Sequence, residues 1–211
     1  HYSLEYEQTM RASKMIAAVF YKQDDFVETN QNNFFLDMAE DSYSRYGGVE
    51  LYWNSKVGSH LSFDLSNTFL YGKIFTGERS FDIENRMNYF VKAGVNYFNN
   101  KYVNFGLSYI TRPGLRYTPI IGARTIGENL IEPIYHSTFN SAQLSDYNNL
   151  SLTLNKYFKL SDQKTITLYG TINNIHDAAN QMGDYYLKEY QVEENNFFSR
   201  RWIYFGFQLD I

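Results

Sequence analysis

The stretch Arg200–Ile211, RRWIYFGFQLDI, decides how the rest of the chain is read. From Trp202 onward, Ile203, Phe205, Phe207, Leu209 and Ile211 are all apolar. Between them, Trp202, Tyr204, Gly206, Gln208 and Asp210 are small, polar or amphipathic. Successive side chains on a β-strand point to opposite faces, so this segment is a strand with one apolar and one wetter face. Two architectures follow from that. An apolar face turned inward makes a soluble sandwich or barrel, and one turned outward onto lipid makes a membrane barrel.

The same alternation recurs upstream and predicts nine strands, at about 2–8, 13–24, 45–54, 57–72, 86–98, 101–112, 147–159, 164–175 and 198–211. Leu61, Phe63, Leu65, Phe69 and Tyr71 oppose His60, Ser62, Asp64, Ser66 and Thr68. Met87, Tyr89, Val91, Ala93, Val95 and Tyr97 oppose Asn88, Lys92, Gly94 and Asn96. Leu150, Leu152 and Leu154 oppose Ser151, Thr153 and Asn155. Segment 13–24 fits least well, because MIAAVF is apolar on both faces.

Composition points the same way. The chain of 211 residues holds 20 Tyr and 17 Phe, yet only 44% of it is hydrophobic, which suits sheet with one side wet. Three prolines are what a mostly paired chain tolerates. The absence of cysteine excludes a disulfide scaffold and Cys-ligated zinc. A net charge of −4 without a basic stripe argues against a nucleic-acid partner. The longest apolar run, MIAAVFY, falls far short of a membrane helix.

The connections choose between the two architectures. TMRAS, NSKVG, NNK and SDQK are short; they alternate without exception with long segments at about 25–44, 73–85, 113–146 and 176–197. Outer-membrane barrels have short periplasmic turns, long extracellular loops and apolar-out, polar-in strands. Phe98, Tyr102, Tyr157 and Phe158 cluster near short turns, where an interfacial girdle belongs. The expected fold is therefore all-β, made of antiparallel transmembrane strands in the bacterial outer membrane. Nine strands are odd in number, whereas bacterial single-chain barrels are even, and open edges are not tolerated in lipid. The expectation is that 1–211 is the C-terminal segment of a larger barrel. The stretch 184–192, DYYLKEYQV, reads as an additional extracellular ribbon.

A family resemblance supports this. Asp146–Phe158 (DYNNLSLTLNKYF), Asn173–Asn180 (NNIHDAAN) and Arg112–Pro119 (RPGLRYTP) resemble late-barrel segments of TonB-dependent outer-membrane receptors. HYSLEYEQTM followed by MIAAVFYKQDDFVE is similar to an earlier hairpin of those barrels, and the last strand to their ending. Together these segments cover nearly the whole chain in the family's order. Asn149 and Ser151 depart from the frequent Arg and Asp, Ala18 from a common acid, and Ile211 from the usual terminal Phe. The resemblance implies a 22-stranded barrel with an N-terminal plug, both completed by sequence outside this chain. It also implies partnership with the TonB complex, with outer-membrane lipid or lipopolysaccharide, and with a surface lipoprotein in some systems. Such receptors import scarce nutrients: siderophores, haem, cobalamin, glycans or peptides.

No HExxH, GxSxG, P-loop or GxGxxG occurs, and no enzyme, metal site or cofactor is expected. His176 and Asp177 are the only adjacent catalytic-type pair, and neighbours on a strand face apart. Ligand capture falls to the long loops. There Arg112, Arg116, Arg124, Tyr117, Tyr135, Tyr185 and Tyr186 suit a carboxylate-bearing or catecholate ligand through charge-assisted bonds and stacking. The rival readings are a non-transporting structural or adhesive barrel and a soluble β-sandwich binding protein. On the membrane reading, Ile203, Phe205, Phe207, Leu209 and Ile211 face lipid.

Overall fold

The structure is a computed structural model. It describes residues 1–25, 42–77, 79–82, 88–99, 101–127, 130–161, 164–187, 190, 192–198 and 200–210, with the side chains of 184, 185, 192 and 193 left out. Sixteen strands run through these residues. The first four are β1 (Tyr2–Met10), β2 (Ser13–Asp25), β3 (Tyr43–Val57) and β4 (Leu61–Thr76). After the short β5 (Arg79–Asp82) come β6 (Tyr89–Asn99) and β7 (Val103–Arg112). The next connection holds β8 (Arg116–Tyr117), β9 (Ile120–Ile126), β10 (Leu130–Tyr135) and β11 (Ala142–Gln143). The chain then continues through β12 (Tyr147–Lys159), β13 (Thr165–Asn173), β14 (Gln181–Leu187), β15 (Val192–Phe197) and β16 (Trp202–Asp210).

Nine of these strands form one antiparallel meander in the order β1-β2-β3-β4-β6-β7-β12-β13-β16, with β5 added beside the far end of β4. The nine strands expected from the alternation are these nine. β1 pairs only with β2 and β16 only with β13, so the sheet is open among the described residues. In a meander, successive connections lie at alternate ends. The short ones (11–12, 58–60, 100–102 and 160–164) fall at one end, and the long ones (26–42, 77–88, 113–146 and 174–201) at the other.

Register turns nine local alternations into one surface. Directly paired residues share a face, and the ladder Leu4–Val19–Val49–Phe69–Tyr89 crosses five strands with aliphatic and aromatic side chains alone. The ladders Val95–Leu107–Leu152–Ile172–Ile203 and Phe105–Leu154–Gly170–Phe205 continue it across the remainder. The opposite face carries ladders such as Ser62–Asn96–Gly106–Thr153–Thr171–Tyr204. A one-residue slip anywhere would mix the two faces, so the pattern itself fixes the register.

The apolar face is not the core. Among the described residues the buried apolar side chains are Ile74, Pro113, Phe139 and Leu144, and all of them belong to the long-loop end. Phe205 and Phe207 are 81% and 73% exposed in the isolated chain. A soluble sandwich buries such a face against a second sheet; here the described residues form no second layer over it.

The polar face explains why the segment 13–24 reads as apolar on both sides. Met15, Ala17 and Val19 share the apolar face, while Phe20 lies flat over Gly48, whose added Cβ would meet the ring's Cζ at 2.9 Å. Asp64 lies likewise over Gly94, Asn96 over Gly106, and Tyr169 over Gly206. Large side chains here cover neighbouring glycines, which keeps the wet face flat.

Several expectations are corrected. The turn placed at NSKVG sits three residues later, at Gly58–His60, because the chain reverses where Gly58 takes φ +65°. His60 does not join Ser62 and Asp64; its ring stacks on Tyr97 of the apolar face at 5.8 Å. Phe98 and Tyr157, expected in a girdle, stand on the polar face, where Tyr157 accepts a hydrogen bond from Asn104 at 2.9 Å. The ribbon expected at 184–192 exists as the β14–β15 hairpin. Ile211 and Met87, and most of the segments 25–44 and 83–87, lie outside the described residues.

Candidate functional site at the long-loop end

The long connections fold into structure of their own. β9 and β10 form a hairpin that turns at Gly127, φ +69°, and β8 pairs with β11 across its base. Gly114 lies against the Leu144 and Ser145 carbonyls, leaving no room for a Cβ, while Leu144 N–H donates to Leu115 O at 2.9 Å. Phe139 packs edge-on against Phe81 at 5.8 Å, closing the small core.

Most of the side chains expected to meet a ligand brace this end. Arg116 pairs with Asp82 at 3.3 Å and donates to the Asn140 carbonyl at 3.4 Å. Asn140, buried and at φ 51°, donates from its side chain to Asp82 O at 2.8 Å, and its N–H donates to Thr118 Oγ1 at 2.9 Å. The Arg112 guanidinium lies 5.0 Å over Tyr147, whose ring meets Phe198 edge-on at 5.8 Å. Tyr186 accepts the Ile120 N–H at 3.3 Å and so ties the two loop hairpins together. Arg124 projects from β9, two-thirds exposed, with its charge paired to Glu132 across the hairpin at 2.6 Å. Tyr117 and Tyr135 are half-buried at the two ends of the same excursion. The Tyr185 side chain is outside the described residues.

A second knot, built of asparagines, closes the base of the last loop. Asn174 is buried, and its side chain makes two bonds to the Ala178 backbone, both 2.9 Å. Asn149 Oδ1 accepts the Asn174 N–H at 3.2 Å, and Asn180 bonds both the N–H and the carbonyl of Asn148 at 2.7 and 2.8 Å. Asp177 grips Arg200 with both oxygens, at 3.1 and 3.0 Å, and accepts the Arg201 N–H at 2.9 Å. The Arg200 side-chain bonds, then the Arg201 amide, pull its carboxyl down to about 2. Asp177 therefore stays ionised near neutrality, with both oxygens engaged by Arg200 and the Arg201 amide.

Sequence reasoning missed Asn140, Asn174 and Arg200. The signal was present in part, since asparagine is among the few residues that take positive φ readily, but the partners lie far along the chain. Among the described residues no three His, Asp or Glu side chains converge as metal ligands. His136 is held by its own loop, accepting the Thr138 N–H at 3.1 Å beside the Ser141 hydroxyl at 3.2 Å. The arrangement is a polar and aromatic platform at one end of a sheet, from which the β9–β10 and β14–β15 hairpins project. Comparison with protein-family models, curated proteins and solved structures yields no match to this chain.

Proposed function

We propose that these nine strands are neighbouring staves of a bacterial outer-membrane β-barrel, the C-terminal part of a TonB-dependent receptor. On this reading the long-loop end is extracellular and captures a scarce nutrient, and import proceeds through a plugged barrel driven by the TonB complex. The observation that carries the reading is the single apolar face, in register across nine strands, with every long connection at the same end. Dimensions support it. From Leu61 to Tyr71 the apolar face of β4 runs roughly 34 Å, which at a tilt of about 40° is about 26 Å tall, close to an outer-membrane apolar band. β1 and β16 run in the same direction, so direct closure would join parallel strands; further antiparallel strands would complete the ring.

Fluorophores attached at single cysteines test the membrane reading. Labels at Phe205 and Leu168 should be quenched by lipids brominated on their acyl chains, and labels at Tyr204 and Thr167 should not. Equal quenching on both faces would overturn it. Transport is tested by deleting the gene, which should abolish energy-dependent uptake of one limiting nutrient. The internal engagement of Arg112, Arg116 and Arg124 favours a second reading, a structural or adhesive barrel. Unimpaired uptake of every nutrient tried would favour that alternative.

A further inference from the structure

At the long-loop end the apolar face changes character over three rows. Across β2, β3 and β4 the pairs read Val19–Val49–Phe69, then Tyr21–Gly47–Tyr71, then Gln23–Arg45–Lys73. Gly47 carries no side chain, so the middle row holds a gap between two tyrosines. A cleft of about 480 Å³ occupies it, with Arg45, Lys73 and Phe75 at the upper rim. A second hollow of about 340 Å³ shares Gly47 and Tyr71 and continues toward Val49 and Phe69. The result is a groove that is cationic at one end and apolar at the other.

The cationic end is held in place. Arg45 donates from Nε to Gln23 at 3.0 Å, and its guanidinium lies 4.7 Å over Tyr43 and 5.7 Å over Phe75. Those two rings are stacked at 5.0 Å. Lys73 is the direct cross-strand partner of Arg45, and like charges so placed repel unless an anion lies between them. Asp82, the acid beside Lys73 in register, is engaged by Arg116 at 3.3 Å. Among the described residues, no carboxylate bridges Arg45 and Lys73.

We propose that this groove docks a membrane lipid bearing a phosphate headgroup. The phosphate sits between Arg45 and Lys73, whose joint charge matches a phosphate dianion. An acyl chain runs over Gly47, between Tyr21 and Tyr71, onto Val49 and Phe69. The proposal rests on the barrel reading, which places this face against lipid and its cationic row at the outer headgroup level.

The test uses protein extracted from membranes into detergent and titrated with dioleoyl phosphatidic acid, with dioleoylglycerol as the phosphate-free probe. Phosphatidic acid should bind at least about tenfold more tightly than dioleoylglycerol, and R45Q/K73Q should lose about tenfold of that affinity. The K73R variant, which keeps both charges and leaves the stacked Arg45 in place, should stay within about threefold of wild type, which separates loss of charge from misfolding. Undiminished binding by R45Q/K73Q overturns the proposal while leaving the barrel reading intact. Displacement of the lipid by inorganic phosphate at equal concentration also overturns it, because the apolar half of the groove would then contribute nothing. A protein that stays soluble without detergent and does not fractionate with outer membranes refutes the barrel reading, and the lipid site with it.

Discussion

At the scale of single residues, polar side chains at the loop bases fix the geometry. Asn174 shows how. It holds φ 53°, lies 1% exposed, and closes its loop through two bonds to Ala178. N174A removes those bonds and leaves a β-carbon in a left-handed conformation, so it should destabilise the fold by about 1–3 kcal/mol. N174G keeps the conformation and loses only the bonds, so urea titration should place it between wild type and N174A. Asp177 adds a pH dependence whose sign follows from its pairing. Its carboxyl is pulled from the ordinary value down to about 2 by Arg200 and the Arg201 amide. Its contribution is therefore complete above about pH 4 and fades as pH falls toward 2. A ¹³C titration of the Asp177 carboxyl should give a midpoint near 2; one near 4 would mean that the Arg200 clamp is not formed.

At the scale of elements, the two faces of the sheet make opposite demands. F205R puts a charge halfway along β16 on the apolar face and should cost roughly 2–4 kcal/mol if that face meets lipid. The same change on a water-exposed sheet surface costs under about 0.5 kcal/mol. T171R, on the neighbouring strand's polar face, should be nearly neutral, so the ratio of the two unfolding free energies measures which face is wet. Gly206 tests the flat packing of the polar face, since an added Cβ would lie 2.5 Å from the Tyr169 hydroxyl. G206A should destabilise, and Y169A should relieve it in the double variant; additive effects in the cycle would show that the two do not touch. These elements also mark how far the sequence reaches. The nine strands and the identity of each face are legible because a period of two is strong over nine to sixteen residues. β8 and β11 are two residues long, and IIGARTI of β9 has no polar-apolar rhythm, so no pattern announces them. For the arginines, sequence shows the charge but not the partner. Arg116 finds Asp82, and Arg124 finds Glu132, only once the loops have folded.

At the scale of the whole molecule, the open edges govern behaviour. β1 is exposed along its entire length, and neither its outer edge nor that of β16 is hydrogen-bonded to another strand among the described residues. Such edges recruit further strands in water, and in hydrocarbon each unpaired amide or carbonyl costs several kcal/mol. The apolar face amplifies the effect, because side chains such as Leu4 and Phe205 lie at the very edges that must be joined. Residues 1–211 refolded alone into micelles should therefore associate edge to edge, with mass rising with concentration in sedimentation equilibrium. Amides on the outward side of β1, between Ser3 and Thr9, should exchange with solvent in the dilute monomer and become protected on association. Closure of the sheet on itself predicts the opposite: a concentration-independent monomer with those amides protected throughout. That outcome would require β1 and β16 to pair in parallel and would remove the need for additional strands. Exchange at low concentration therefore decides whether this sheet is a complete ring or an arc of a larger one.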